Sequence, residues 1–598
     1  MPQPDSSNPT TVSARLAEVL AGHTRQAFGL MGNGNAHLID ALTAQGVTLT
    51  TVRHEAGTVA AADAYTRVSG KIAIATTTYG AGFTNALTAL AEAARARTPM
   101  LVVVGDAPNS GPRMWDVDQD MLTAALGIRL YSLSPAGIAE TVARAVATAE
   151  RARRPVVLAI PYDLANAVVP APAAPVVAST EIDLSDPDLW RSLSAAPADA
   201  THRPPSESPR RAAAVAADTP TDLSAALDAL SGAARPLVLA GRGAWLAGAG
   251  NELGQIADTL GALTASTALA RGIFPDERYD LGITGGFGQE AAMAAAAAAD
   301  VVLVVGASLN QFTMRFGELF GPGATVIRID LDQVAPPKTA HPIAHVLLQG
   351  DAQVLVRALG EALLGARPNP SAWRESVAAE LVPGGALRVL NDGSSEHPDG
   401  VCADGRLDPR TVAARIAELL PADRHVTTDG GHFIGWSNMF WQAASPERSI
   451  MVGTAYQTIG LGFPTVAGIA AAVPDTTVVL AIGDGGGLMA LADLETAIRT
   501  ANRCIIVVFN DGAYGAEVHL YGRMGLDQTP MLIPDVDFAG LASALGATGV
   551  RVDRLDDLAA LEAWTAAGGS GTILLDCRVS RTVIAPYQEE ILRANGVS

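Results

Sequence analysis

The sequence predicts an α/β protein built of three doubly wound parallel-sheet domains, and three observations carry that prediction. At 598 residues the chain is too long for a single hydrophobic core. Its apolar runs, among them "PMLVVVGD", "RPVVLAIP" and "CIIVVF", lack strict alternation, as expected of strands covered by helices on both faces. These runs alternate with helical patterns and fall into three blocks parted by two polar or proline-rich stretches.

The first block, 12–165, reads strand, glycine turn, helix and strand through "KIAIATTTYGAG", "FTNALTALAEAARA" and "PMLVVVGDAP". Residues 166–220 shift to "VVPAPAAPVVAS" and "HRPPSESPRR", the composition of a linker. A central block, 221–366, runs from "RPLVLAGRGA" through "ADVVLVVGASL" to "ATVIRIDLD". Residues 367–408, with "NDGSSEHPDG" and "ADGRLDP", read as a second connection, helical in part near "SAWRESVAAEL". The third block, 409–583, repeats the strand, glycine turn, helix and strand of the first, and 584–598 remain as a C-terminal tail.

A net charge of -20 disfavours nucleic acid or an anionic membrane as partner, because both need a basic face. A small-molecule substrate fits better. Cys402, Cys504 and Cys577 lie far apart without metal-ligand spacing and read as buried apolar residues in a reducing compartment. The opening "MPQPDSSNPTT" lacks the basic start and apolar run of a signal peptide, so a cytoplasmic location is expected. The long apolar stretch "AAMAAAAAADVVLVVGASL" is interrupted by Asp300 and reads as a helix end followed by a buried strand, not a membrane span.

The chemistry concentrates in "VVLAIGDGGGLMALADLETAIRTANRCIIVVFNDGAYG", Val478 to Gly515. "VVLAI" reads as a strand, "GDGGG" as a turn, "LMALADLETAIRTA" as an amphipathic helix and "CIIVVF" as the next strand. In a parallel β-α-β unit both turns emerge at the carboxyl edge, so Asp484 and Asp511 face one crevice. A dinucleotide fingerprint fits poorly: Leu488 replaces the third glycine, and Asp484 would repel an unscreened pyrophosphate. A divalent cation turns that repulsion into coordination, with diphosphate oxygens on its far side. Aspartates that only cap helices are the plainer alternative.

This segment resembles the diphosphate-binding motif of thiamine diphosphate (ThDP) enzymes, a Gly-Asp-Gly followed after a helix and strand by an Asn-Asn or Asn-Asp pair. The resemblance implies Mg2+ held by Asp484, Asp511 and the carbonyl of Ala513, with Asp511 in place of the commoner Asn. A second segment, "TVRHEAGTVAAADAYTRVSG", is similar to the pyrimidine-binding domain of the acetolactate synthase branch, whose catalytic glutamate lies in Arg-His-Glu. That glutamate is Glu55, which would share a proton with the aminopyrimidine and favour its imino tautomer. By the same resemblance Ile459 of "GTAYQTIGLGFP" would sit between the two rings of the cofactor. Gly80, Asn85, Gly430, Gln457, Thr458, Gly483, Gly485, Gly486, Tyr514 and Gly515 complete the implied cofactor contacts.

Substrate residues are thinner. Asn33 of "FGLMGNGNAHL" and Gln119 of "DVDQDM" fall on positions that in the family lie beside substrate and cofactor. "YGAEVHLYG" puts Glu517 and His519 on a segment lining the mouth, with Leu520 where acetolactate synthases carry a tryptophan. His54 and His432 are further candidates for proton relay. The adjacent His-His pair of pyruvate decarboxylases is missing, and "GASLNQFTMRFG" replaces the Arg-Phe-Asp-Asp-Arg run of the middle domain, so FAD is a cofactor without a readable site. The resemblance implies a homodimer or homotetramer with sites between subunits. It implies attack on a 2-oxo acid and loss of CO2 or C-C cleavage to an enamine, which is ligated to a second carbonyl. A decarboxylase or C-C lyase releasing an aldehyde is the nearest alternative, and a non-catalytic binding relative a more distant one.

Overall fold

The computed structural model describes residues 10–169 and 222–597. Most of the expected 166–220 linker therefore lies outside the described residues. The first sheet contains β1 (Gln26–Gly29), β2 (Thr48–Thr51), β3 (Ile74–Thr77), β4 (Met100–Asp106), β5 (Arg129–Ser132) and β6 (Pro155–Pro161). Its order is β2-β1-β3-β4-β6-β5, parallel throughout. The apolar residues of β3, β4 and β6 are buried along their whole length, which is why these runs do not alternate.

The second sheet contains β7 (Pro236–Ala240), β8 (Leu263–Ser266), β9 (Asp280–Ile283), β10 (Val301–Val305), β11 (Thr325–Asp330) and β12 (Ala344–Gln349). Its order, β12-β11-β10-β7-β8-β9, reverses direction between β7 and β10, the doubly wound arrangement. The alanine-rich stretch divides as expected into a helix, Glu290–Ala297, and the buried strand β10. The 367–408 connection carries only two short helical pieces, Trp373–Ser376 and Ala378–Glu380.

The third sheet contains β13 (Arg424–Thr428), β14 (Ser449–Met451), β15 (Thr477–Gly483), β16 (Arg503–Asn510), β17 (Thr548–Val552) and β18 (Gly571–Arg578). Its order, β14-β13-β15-β16-β18-β17, matches the first sheet strand for strand. Among the described residues, no helix is long and apolar enough to cross a membrane.

The first and third sheets share one core. The helix Glu55–Ser69 lies against the helix Gly462–Ala472, and Val59, Ala60, Phe83, Phe463, Val466 and Ile469 are buried in a single cluster. The helices touch backbone to backbone: a Cβ on Gly468 would stand 2.1 Å from the carbonyl oxygen of Ala61. Buried Arg67 ties the same contact, bonding Asp63 at 2.7 Å and the carbonyl of Met451 at 2.6 Å. Losing one partner of such a buried pair costs about 3–5 kcal/mol.

One local expectation fails. "GDGGG" is not a turn; Gly483 ends β15 as N-cap and Asp484 opens a short helix, Asp484–Met489. The expected long helix then breaks into a 3-10 turn, Leu491–Asp493, and a second helix, Leu494–Thr500. The break turns Asp493 to accept from the backbone N–H of Arg53 at 2.7 Å and from Thr496 Oγ1 at 2.7 Å. A contact with the first domain thus overrides local helix propensity.

Candidate active site

Three acidic residues crown the carboxyl edge of the third sheet. Asp429 follows β13, Asp484 follows β15 and Asp511 follows β16. Asn510 is turned away, donating to Asp576 Oδ1 at 2.8 Å and to the carbonyl of Val536, so the second residue of the pair faces the crevice. Asp484 is 2% exposed, and its Oδ2 has no hydrogen-bond partner. Burial, then the neighbouring Asp511, pushes the Asp484 carboxyl well above the usual carboxylate range. Asp511 is raised too, chiefly by burial, although its Oδ1 accepts from the backbone N–H of Ala513 at 3.1 Å. Buried Asp484 with its orphaned oxygen and half-buried Asp511 make an oxygen-ligand set suited to a divalent cation.

The glycines around this pair make room for it. A Cβ at Gly485 would meet the Tyr514 ring at 2.7 Å, and one at Gly486 would stand 2.5 Å from Asp429 Oδ2. At Gly515 it would stand 2.8 Å from Asp511 Oδ2. Asp429 joins the glycine loop to the apolar segment. It accepts from the backbone N–H groups of Gly430 at 2.8 Å and Gly460 at 2.9 Å. Burial raises its carboxyl to about 6. Ile459 is half-buried over Gly430, whose Cβ would lie 3.0 Å from Ile459 Cγ2, and Thr458 donates to the Ile459 carbonyl at 3.2 Å. Gln457 is exposed and left-handed, with φ of 59°. Sequence reasoning missed Asp429, although "TTDGG" carries the signal of a carboxylate at a strand end before glycines.

The matching edge of the first sheet is built from amides and hydroxyls. Glu55 opens the helix Glu55–Ser69, with His54 as N-cap, its ring Nδ1 accepting from the Ala56 N–H at 3.2 Å. Glu55 Oε2 accepts from Asn85 Nδ2 at 3.0 Å, and Oε1 lies over Gly82, where a Cβ would come within 3.3 Å. Gln119 is buried and its amide fully engaged. Oε1 accepts from the Gly80 N–H at 3.2 Å, and Nε2 donates to the Gly105 carbonyl at 2.9 Å and to Asp106 Oδ1 at 3.1 Å. It shapes the loop and offers no free donor. Exposed Asn33 donates to the Tyr79 hydroxyl at 3.1 Å and the Tyr162 hydroxyl at 3.4 Å. The Arg113 guanidinium lies 4.2 Å from the Tyr79 ring centre and 4.3 Å from that of Tyr162, paired with Asp116. No sequence signal links Tyr79, Arg113 and Tyr162; only the fold brings them together.

At the mouth, the chain turns through Gly515–Glu517 into a π-helical turn, Val518–Gly522. Glu517 is exposed, whereas His519 is buried with its Nε2 unpartnered. His432, distant in sequence, sets its ring centre 4.5 Å from that of His519, with the two planes tilted by 55°. Its Nε2 accepts from the Ala585 N–H at 3.0 Å, which places its proton on Nδ1. Burial lowers His432 to about 3 and His519 to about 4, so both rings are neutral near pH 7.

Comparison with protein families gives three matches in chain order. Residues 10–126 match the thiamine pyrophosphate enzyme N-terminal TPP binding domain, 223–359 the central domain and 429–577 the C-terminal TPP binding domain. The chain belongs to the thiamine pyrophosphate enzyme family. Similar curated proteins include sulfoacetaldehyde acetyltransferase of Castellaniella defragrans, 27% identical over 92% of this chain and 89% of that protein. The acetolactate synthase isozyme 2 large subunit of Escherichia coli (strain K12) is 28% identical, over 89% of each chain. A protein named probable 2-ketoarginine decarboxylase, from Pseudomonas aeruginosa, is 29% identical over 95% of this chain and 94% of its own. The chain is a ThDP-dependent enzyme of the acetolactate synthase-like branch. In this family's terms, the edge bearing Asp484 and Asp511 belongs to the C-terminal TPP binding domain, and the edge bearing Glu55 to the N-terminal one.

Proposed function

We propose that this ThDP enzyme uses Mg2+ to cleave or decarboxylate a pyruvate-like 2-oxo acid and ligates the remaining fragment to a second carbonyl, as in the acetolactate synthases. The observation that carries the reading is the buried Asp484 carboxylate, its Oδ2 unpartnered, beside the half-buried carboxylate of Asp511. Asp484, Asp511 and the Ala513 carbonyl would hold Mg2+, in a loop whose glycines pack directly against Tyr514 and Asp429. ThDP, when bound, would supply a carbon nucleophile for the carbonyl of the 2-oxo acid.

The chain's own residues have separable tasks. Glu55, fixed by Asn85, exchanges a proton with the aminopyrimidine of the cofactor. Ile459, braced by the loop that Asp429 anchors, shapes the cofactor bed. Gln119 holds the Gly80 loop, and Asn33 presents its carbonyl side to substrate between two tyrosines. A homodimer or homotetramer fits, with Glu55 of one subunit meeting the Asp484 edge of another. Among the described residues, no hydrogen bond joins Glu55 to that edge within one chain. The first edge also exposes Met114 (93%), Trp115 (55%) and Met121 (70%), apolar surface that a partner would cover.

A simple decarboxylase or C-C lyase is the second reading, favoured by the neutral His432 and His519 pair, which could relay a proton from solvent in place of a second carbonyl. The deciding experiment supplies the Mg-ThDP-loaded protein with 2-oxo acids, singly and in pairs, and follows CO2 and product mass. A ligated product is expected. Aldehyde alone would select the lyase, and no CO2 or cleavage from any donor would sink both readings.

A further inference from the structure

The connection ahead of the third domain folds into a compact knuckle whose Arg406 reaches the Asn510 carbonyl beside Asp511. The Gly400 N–H bonds the His397 carbonyl at 2.9 Å, Cys402 N–H bonds Arg406 O at 2.8 Å, and Asp408 N–H bonds Gly400 O at 2.8 Å. Val401 and Leu407 form an antiparallel bridge across it. These bonds converge three side chains: His397 Nδ1 is 2.8 Å from Asp408 Oδ2 and 3.8 Å from Cys402 Sγ. The three ligand atoms all lie within 4.8 Å of one another. Cys402 and Asp408 are buried, and His397 is partly exposed.

Hydrogen bonding satisfies Asp408, which accepts from His397 and Arg410, but makes only one of the two contacts open to His397 Nδ1. If Nδ1 carries its proton toward Asp408, it cannot accept from the Cys402 thiol; if it accepts from the thiol, it faces a carboxylate lone pair to lone pair. A cation bound by all three atoms removes the conflict. We infer that His397, Cys402 and Asp408 form a structural divalent-metal site, with zinc as the ion its nitrogen, sulfur and oxygen donors select.

The spacing suits the ion. Zinc bond lengths of about 2.0–2.3 Å imply ligand-to-ligand separations of roughly 3.3–3.7 Å, so the nitrogen-oxygen gap opens slightly and the nitrogen-sulfur gap closes slightly. Arg410 donates to both oxygens of Asp408 and pairs with Glu396, so it competes for that carboxylate but also orients it from outside. Counting a Cys402 thiolate, Asp408, Glu396, Arg410 and a divalent ion, the cluster carries no net charge. His397, Glu396 and Arg410 also line a cavity of about 510 Å³, which gives a fourth ligand, water or a small anion, a way in. Asp408 N-caps the helix Pro409–Leu419, its carboxylate accepting from Arg410 N–H, so the ion would pin the entry to the third domain.

The test is metal analysis of the full-length protein after exposure to Zn2+ and exhaustive dialysis, with Co2+ as spectroscopic probe. About one Zn2+ per chain is expected, with a cobalt-thiolate charge-transfer band in the near ultraviolet. Cys402→Ser should lose the band and weaken Zn2+ binding by about 100-fold or more, and His397→Ala should weaken it comparably, both with activity near wild type. Asp484→Asn should keep the zinc, which separates this site from the Mg2+ site. Substoichiometric zinc in the wild type, or equal zinc in Cys402→Ser, would overturn the inference.

Discussion

At the carboxyl edge of the first sheet the strand ends carry amides, hydroxyls and phenols around Glu55; at the matching edge of the third they carry Asp429, Asp484 and Asp511. Strand order and parallel pairing are the same in both. After β3 and after β15 a glycine precedes a helix, Gly80 in one and Gly483 in the other. The first N–H groups of both helices lack a side-chain cap, and in the first sheet Gln119 additionally takes the Gly80 N–H. Topology therefore fixes where a ligand can lie, and on the proposed reading a few side chains at the strand ends decide whether the edge receives an anion through a metal or a ring through hydrogen bonds.

The largest effect should come from the edge proposed to handle the proton. Glu55→Gln keeps the hydrogen-bonding shape toward Asn85 but removes the exchangeable proton, and turnover should fall by about 10²–10⁴ with ThDP binding largely intact. Cofactor affinity by calorimetry beside kcat checks this. A fully active variant would reassign the proton to another group.

On the opposite edge, Asp484→Asn should weaken Mg2+-dependent ThDP retention by about 100-fold, on the order of 2.7 kcal/mol. It should also raise the melting temperature of the metal-free protein, because a buried carboxylate with an unpartnered oxygen becomes neutral. Opposite signs for ligand affinity and stability would mark Asp484 as strained for function. A fall in both would make it an ordinary structural residue.

Asp429 tests whether the third edge behaves as one unit. Asp429→Asn would set an amide N–H₂ against one of the backbone donors at Gly430 and Gly460 and should cost about 2 kcal/mol. If Ile459 depends on this brace, KM for ThDP should rise along with the loss in melting temperature. A stability loss with unchanged cofactor KM would confine Asp429 to holding the fold.

Much of this was legible from short contiguous stretches. The three sheets followed from unalternating apolar runs, and the juxtaposition of Asp484 with Asp511 followed from the rule that parallel β-α-β turns emerge together. The helix after β15 was misjudged because its break answers to Arg53, a residue of another domain. The ring contact of His432 with His519, and the stacking of Arg113 on Tyr79 and Tyr162, join residues from different loops, and no local pattern encodes them. Cys402 is buried and free as expected, and only the fold shows that His397 and Asp408 of the same loop converge on it.

The smallest expected effect lies at Asp511, where the two sheets differ most subtly. Asp106 ends β4 and Asp511 follows the corresponding strand β16, yet Gln119 donates to Asp106 while Asp511 faces another carboxylate. Asp511→Asn keeps an oxygen ligand and should weaken Mg2+ by no more than about tenfold, about 1.4 kcal/mol. Its pH signature is sharper. Both carboxylates are raised in the folded state, so the stability they contribute to the metal-free protein is present at low pH and lost as pH rises through their raised values. Removing Asp511 deletes one of those groups and part of the cause acting on Asp484, so the variant should lose less stability, and lose it at lower pH. Urea midpoints with chelator, from mildly acid to mildly alkaline pH, would show it, and superimposable profiles would mean that the two carboxylates do not interact.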